Sequence, residues 1–406
     1  MMLFNIDAVC SDFEVLSKPI NGKPPIYFDN ACMTLRPKVV VDAMNEYYFH
    51  HPSCHRRTIH KFGQITTRKY AEGREKVRSF INAYNAGEII FTRNSTESIN
   101  LVAYVFPFKR GDVVVTTDME HNSNLLPWQI AVRNRGIVHK IFSLEKDFSF
   151  DLKKFELLLS QGVRLVSLFH VSHITGCSLP VAEIIQLAHK YGALVLLDGA
   201  QSLPRMNIDV QSLDVDFFAA SFHKMLGPSG MGMLFVKSNL MGQLMPFIVG
   251  GETVADVSYE SASFLRGAEG FEAGLQNYAG VMGVTAAIDY VQKIGMDRIQ
   301  EHEYCLNKKA SDLLSDLPRV AILGPKEPRL RGSIVNFSVK GMDSGELSML
   351  LDTTNNIMVR SGVHCAHAWY RKKELLPTVR ASFYIYNTLQ SVDVFIETMR
   401  AMVRYF

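Results

Sequence analysis

Two potentially reactive side chains each follow an apolar stretch of the kind that forms a buried strand. Asp198 comes directly after residues 194–197, and Lys224 comes shortly after residues 215–220. In a parallel α/β sheet, ligands bind beyond the carboxyl ends of the strands. We therefore expect the carboxylate and the amine to converge on one ligand.

An amine nucleophile that faces a carboxylate matches the needs of pyridoxal phosphate. The lysine binds this cofactor covalently, and the carboxylate keeps the ring nitrogen protonated so that the ring withdraws electrons. The same residues also have an ordinary interpretation, in which Asp198 caps a turn and Lys224 lies in a surface loop. From this stretch alone, both interpretations stay open.

Residues 93–98 lie where a strand is expected to give way to a helix. We predict Ser95 as the N-cap, and because Ser98 stands three residues later, no capping box forms and helix amides remain free. Free amides beside the hydroxyls of Ser95 and Thr96 suit a cofactor phosphate. An ordinary capped helix would show the same pattern.

Further polar residues follow other predicted strands. His121 follows the next strand along the chain and is placed to lie flat on a planar ring, although a loop histidine without a role fits equally. Ser221 and His223 flank Lys224, and we expect them to reach a phosphate or to orient the lysine.

The stretch 360–367 holds a cysteine among glycine, histidine and basic residues. This electropositive setting favours a thiolate at Cys365. A His-Cys-x-His metal site and a buried structural cysteine are the rival interpretations, but zinc needs three or four suitably spaced ligands, and we predict no metal. Arg380 suits a bidentate substrate carboxylate or a salt bridge on a strand.

The order of predicted elements gives the fold class. Strands and helices alternate from about residue 88 to residue 236, which predicts an α/β protein with a doubly wound, mostly parallel sheet. We expect an N-terminal segment (1–25), a large domain (26–290) and a smaller α+β domain (291–406), with the N-terminal segment packing against the smaller domain. The glycine-rich stretch 245–280 is expected to be irregular, with either a functional or an interfacial role.

Composition narrows the class of protein. The chain has 406 residues, a net charge of +3 and no basic patch of the kind that binds nucleic acid. We expect no signal peptide, and no apolar run comes near the roughly 20 residues of a membrane-spanning helix. Six scattered cysteines without a Cys-x-x-Cys motif predict reduced thiols. We expect a soluble, cytoplasmic protein that binds neither nucleic acid nor membrane.

Taken together, the motifs resemble the group II cysteine desulfurases and selenocysteine lyases of the class V aminotransferase fold, which is pyridoxal-phosphate fold type I. The resemblance runs from about residue 27 to the C-terminus. The stretches that carry it are Tyr27–Ala31, Ser95–Asn100, Met119–His121, His170–Ser172, Leu197–Gln201, Ser221–Lys224, Phe271–Gly274, Arg360–Ala366 and Arg380–Ser382.

The resemblance implies a role for each matching residue. It implies that Lys224 holds pyridoxal phosphate and that Asp198 pairs with the ring nitrogen. Gln201 would bond the ring oxygen and His121 would stack on the ring, with His173 nearby. The phosphate would be held by Thr96, Ser221 and His223, beside the Ser95 hydroxyl predicted above. The substrate would meet Arg380 at its carboxylate, with Asn30, Ala31 and Arg360 beside it.

The implied activity converts L-cysteine to L-alanine and leaves a persulfide on Cys365, which supplies sulfur for iron–sulfur clusters or other thio-cofactors. L-selenocysteine is an alternative substrate. Another class V activity, such as a transaminase or epimerase, or a non-enzymatic scaffold, remains as an alternative function. The resemblance also implies a homodimer, whose sites borrow residues from the partner's 250–275 region, and an unidentified sulfur-acceptor protein.

The chain departs from the family pattern at several positions. His173 stands where the family usually has asparagine, and Leu275 stands where a threonine usually follows the Glu-Ala-Gly run. The loop 56–60 differs from the usual His-Arg-Gly-x-His sequence. Cys32 lies near the expected substrate entrance.

Overall fold

The computed structural model describes residues 4–405. Its main sheet has seven strands in the order β2-β8-β7-β6-β5-β3-β4, in which only β8 runs antiparallel to its neighbours. The strands of the described chain are β1 Ile26–Tyr27, β2 Ile89–Thr92, β3 Val113–Thr117, β4 Val138–Phe142, β5 Val163–Phe169, β6 Leu194–Asp198, β7 Phe217–Ser221, β8 Gly232–Val236, β9 Val254–Val257, β10 Ala262–Phe264, β11 Val320–Leu323, β12 Ile334–Val339, β13 Ile357–Met358, β14 Arg360–Gly362 and β15 Thr378–Ser382.

Helices cover both faces of the main sheet, as the alternation of elements predicts. They are α1 Ile6–Ser11, α2 Lys38–His50, α3 Lys61–Phe80, α4 Ser95–Val105, α5 Leu126–Arg135, α6 Leu152–Leu159, α7 Val181–Lys190, α8 Ser238–Met241, α9 Tyr278–Ile294, α10 Met296–Ser315, α11 Ser344–Asn355, α12 His367–Lys372 and α13 Leu389–Tyr405. No helix within 4–405 is both long and apolar enough to cross a membrane.

Alternate residues of the central strands enter two separate apolar cores. On one face, Val114, Leu165 and Leu196 pack with α4 and α5. On the other face, Val115 and Val195 pack with helices that include α3, α7 and α9. Strands buried on both faces read as nearly continuous apolar runs, which is why their ends were recognisable in the sequence. The mostly parallel α/β fold is confirmed.

A second, antiparallel sheet, β11-β12-β15-β14, has its own apolar core with α10, α11 and α13. The short strand β1 pairs in parallel with β13, and Phe28 lies in this second core. Residues 26–28 thus pack with the C-terminal elements, although the sequence suggested that the large domain starts there. The expected irregular stretch 245–280 contains the hairpin of β9 and β10.

Candidate active site

A cavity of about 260 Å³ lies at the carboxyl ends of the parallel strands. Ser95 and Thr96 approach the cavity from the end of β2, His121 from the end of β3 and Asp198 from the end of β6. Lys224 approaches it from a 3₁₀ turn that follows β7. Every predicted site residue except Asn30 lines the cavity. The lining residues that the sequence predicted are Ala31, Ser95, Thr96, His121, His173, Asp198, Gln201, Ser221, His223, Lys224, Arg360, Cys365 and Arg380.

Asp198 and Lys224 form the electrostatic centre of the cavity. Burial raises the pKa of Asp198, and the charge of Lys224 opposes that rise. Burial lowers the pKa of Lys224, and Asp198 opposes that fall. A buried carboxylate and a buried amine that each stabilise the other's charge match the arrangement expected from the sequence.

The start of α4 forms a polar corner. The prediction of Ser95 as N-cap is wrong: Asn94 is the cap, and its side chain accepts a bond from the amide of Glu97. The amide of Ser95 donates to Oγ of Ser221 at 2.8 Å, and the two hydroxyls lie 3.0 Å apart. Gly232 permits this approach, since a Cβ there would lie 2.5 Å from Cα of Asn94.

His121 is held in place by a residue that the sequence analysis did not single out. Its Nδ1 lies 2.9 Å from Oγ of Ser123, which also bonds Oγ1 of Thr96 at 2.7 Å. The ring of His121 meets that of His173 edge-on, with centroids 4.8 Å apart. Burial, assisted by the charge of Lys224, lowers the pKa of His121 to about 3, so its imidazole is neutral near pH 7.

Arg380 is a buried cation with unused hydrogen-bonding capacity. One terminal nitrogen donates to the carbonyl of His173 at 2.8 Å, and the other lies 3.4 Å from a carboxylate oxygen of Asp29. Its Nε has no partner in the described part of the chain. Burial lowers the pKa of Arg380. A free N–H edge beside a buried positive charge suits a carboxylate ligand.

Cys365 sits in a tightly anchored loop. His364 and Cys365 both have positive φ angles, of 48° and 60°. The carbonyl of Cys365 accepts a bond from the amide of Asn122 at 2.8 Å, and the buried His364 ring lies 3.0 Å from Oγ1 of Thr378. These contacts hold the cysteine at the cavity wall and tie its backbone to Asn122, the residue that follows His121.

Asn30 is the predicted site residue that the cavity lining does not include. Its side-chain amide donates to the carbonyl of Ser382 at 2.7 Å and to Oδ1 of Asn387 at 3.0 Å, and it accepts a bond from Tyr386. Asn30 therefore holds the turn after β1, and its neighbour Ala31 faces the cavity. Gln201 supports the same turn by donating to the Ala31 carbonyl at 2.7 Å.

The cavity residues fit pyridoxal phosphate. Lys224 and Asp198 provide a buried amine and a buried acid, and the Ser95–Ser221 corner provides hydroxyls for a phosphate. The buried Nε2 of His173 lacks a partner among residues 4–405, so a polar group of a ligand would satisfy it. No cluster within these residues has the composition and geometry of a metal site.

The altered loop 56–60 pairs with the glycine-rich segment. Arg56 forms an ion pair with Glu269, and Nε of Arg57 lies 2.9 Å from the largely buried Glu252. The sequence alone did not reveal these pairs, because the partners are distant along the chain. Leu275 is 70% exposed and does not line the cavity.

The chain is similar over nearly its full length to known proteins. The family described as aminotransferase class-V matches residues 26–395. A protein of Synechocystis sp. named probable cysteine desulfurase is 38% identical over 402 residues, which cover 98% of this chain and 96% of the relative. A relative of the same name from Mycolicibacterium paratuberculosis is 38% identical over 98% of this chain, which spans 58% of that relative.

The fold is also similar to that of a solved structure over nearly the whole chain. The apo structure of cysteine desulfurase from Thermococcus onnurineus NA1 matches with a TM-score of 0.91 and 38% identity, covering 94% of this chain and 95% of the other. The resemblance found from the motifs is therefore confirmed by whole-chain similarity.

Proposed function

Since the chain belongs to the class V aminotransferases, we propose that it is a pyridoxal-phosphate-dependent cysteine desulfurase. It releases L-alanine from L-cysteine and leaves the sulfur as a persulfide on Cys365. The observation that carries this proposal is that Lys224, Asp198, Arg380 and Cys365 surround one cavity. Similarity over nearly the full length to proteins named cysteine desulfurases supports it.

The cofactor would be held by residues from several strand ends. Lys224 would bind it covalently, Asp198 would pair with its ring nitrogen, and the Ser95–Ser221 corner with Thr96 would hold its phosphate. When bound, pyridoxal phosphate withdraws electrons from the α-carbon of the substrate. The neutral His121 suits contact with the face of an aromatic ring, since it adds no charge beside Lys224.

Lys224 acts as the general base and general acid of the proposed reaction. Nζ takes the proton from Cα of L-cysteine and later returns a proton to the product. Burial favours this role because it lowers the pKa of Lys224, which makes the neutral amine more available. Asp198 limits that shift and so keeps the protonated form accessible for the return step.

Arg380 orients the substrate. Its Nε edge, which has no partner among the described residues, would bind the carboxylate of L-cysteine, while its bond to the His173 carbonyl fixes the plane of the guanidinium. Held in this way, the substrate directs its side chain toward the wall that carries Cys365. Because the acceptor is a backbone carbonyl, this bond does not depend on the side chain at position 173.

Cys365 is the sulfur acceptor. Its thiolate attacks Sγ of the substrate, and an S–S bond forms while the Cβ–Sγ bond breaks. The electron pair passes to the carbon fragment, where Cβ takes a proton and becomes the methyl group of alanine. The substrate sulfur is oxidised to the sulfane state, the carbon is reduced, and no external oxidant is needed.

Alanine release tests the proposed function. Purified protein loaded with pyridoxal phosphate is incubated with L-cysteine and dithiothreitol, beside the Lys224→Ala variant. We expect alanine from the wild type and almost none from the variant. A wild type that binds the cofactor but forms a keto acid or a D-amino acid instead would favour a transaminase or epimerase. A parallel assay with L-selenocysteine compares the two substrates.

We also propose a homodimer. The 245–275 segment exposes many large apolar side chains, an arrangement typical of an interface: Met245, Phe247, Ile248, Val249, Val257, Tyr259 and Leu275. Light scattering on the purified protein measures the oligomeric state directly. A cytoplasmic location suits an enzyme whose Cys365 must remain a free thiol, and the sulfur would pass to an acceptor protein, for iron–sulfur clusters or other thio-cofactors.

A further inference from the structure

A second thiol, Cys32, lines the same cavity as Cys365. It lies in the turn after β1, where its amide bonds the carbonyl of Asp29 at 3.1 Å. The flanking backbone is anchored to the cavity floor, through Gln201 to the carbonyl of Ala31 and through the amide of Thr34 to the carbonyl of His223. Cys32 therefore has a fixed position, and no role in the proposed reaction uses it.

One guanidinium connects the two thiols. A terminal nitrogen of Arg360 lies 2.8 Å from Sγ of Cys32, and its other terminal nitrogen lies 3.8 Å from Sγ of Cys365. Arg380, whose buried Nε has no partner within residues 4–405, lines the same cavity. A persulfide would extend Cys365 by one S–S bond, about 2.0 Å, which brings its outer sulfur within the space around Arg360.

We propose that Cys32 is a second sulfur-carrying thiol that receives the sulfane sulfur from Cys365. The Cys32 thiolate attacks the outer sulfur of the persulfide. A new S–S bond forms on Cys32, the S–S bond on Cys365 breaks, and Cys365 leaves as a thiolate. The exchange is redox-neutral, and the proton of the Cys32 thiol leaves to solvent before the attack. Arg360 contacts both sulfurs and offsets the negative charge that moves between them.

This inference rests on the proposed function and adds a consequence to it. A site with one sulfur-carrying thiol stops after one turnover when no acceptor or reductant is present. A site that passes its sulfur to Cys32 regenerates Cys365 and completes a second turnover. Cys305 offers a comparison, because it is exposed on α10 and does not line the cavity.

The test uses the full-length holoenzyme without reductant and without oxygen, with two equivalents of L-cysteine per site. Alanine is quantified, and the protein is alkylated, digested and analysed by mass spectrometry. We expect about two alanines per site, with sulfane sulfur on the peptides of both Cys32 and Cys365 and none on that of Cys305. In the Cys32→Ala variant we expect about one alanine per site.

Other results would overturn the relay. One alanine per wild-type site with sulfur on Cys365 alone would do so, as would two alanines with a longer sulfur chain on Cys365 and none on Cys32. Both results leave the desulfurase activity intact. Absence of alanine from the wild type would instead overturn the proposed function, and the relay with it. The wild-type peptide masses decide the question even where the variant is unstable.

Discussion

Replacing Arg380 with methionine tests how the substrate is held. The change removes the buried guanidinium and keeps a side chain of similar length. If Arg380 binds the substrate carboxylate through two charge-assisted hydrogen bonds, removing the guanidinium costs about 1.5–3 kcal/mol of binding free energy for each bond. The total of about 3–6 kcal/mol corresponds to a 10²- to 10⁴-fold fall in kcat/KM for L-cysteine. Arg380→Lys keeps the positive charge but not the planar guanidinium that donates two hydrogen bonds to one carboxylate, so we expect an intermediate fall in kcat/KM.

The assay is the initial rate of alanine formation over a range of L-cysteine concentrations. Arg68→Met is the matched control, because Arg68 is 68% exposed on α3 and does not line the cavity. Cofactor absorbance confirms that each variant is folded and loaded. If Arg380→Met kept kcat/KM within threefold of the wild type, Arg380 would not bind the substrate carboxylate.

Three further predictions follow from the buried groups around the cavity. Asn30→Ala removes bonds to Ser382 and Asn387, so thermal unfolding should show a loss of about 1–3 kcal/mol, with KM for L-cysteine unchanged. A raised KM would instead support the substrate role predicted for Asn30. Asp198→Asn should leave the ring nitrogen without an acid and reduce activity at least about 100-fold; near-normal alanine formation would refute that pairing. Burial raises the pKa of Glu120 from 4.5 to about 8. Between these pH values the folded chain binds more protons than the unfolded chain, so the free energy of unfolding falls as pH rises. Denaturant titrations should show a smaller fall for Glu120→Gln, and an equal fall in both proteins would contradict this prediction.

The strand ends that carry the chemistry were predictable from the sequence. Asp198 and Lys224 follow strands that are apolar on both faces, and such runs are a local signal. The start of α4 shows the limit of that signal, because Asn94 and Ser95 are both good caps and the geometry of the turn selects Asn94.

Long-range contacts were not predictable in the same way. Residues 26–27 pair with residues 357–358, and this pairing directs Asn30 into the interior while Ala31 faces the cavity. Ser123 and the Arg360 contacts to Cys32 and Cys365 likewise depend on loops that meet only in the folded chain. Spacing along the sequence carries no information about such contacts.

The most direct test of the central claim is the rate of alanine formation from L-cysteine by Cys365→Ser. The measurement uses holoenzyme with dithiothreitol, beside the wild type and the exposed control Cys305→Ser. If Cys365 is the sulfur acceptor, its variant binds the cofactor normally and loses nearly all activity, while the control matches the wild type. Full-rate alanine formation by Cys365→Ser would contradict the assignment of Cys365 as the persulfide-bearing residue.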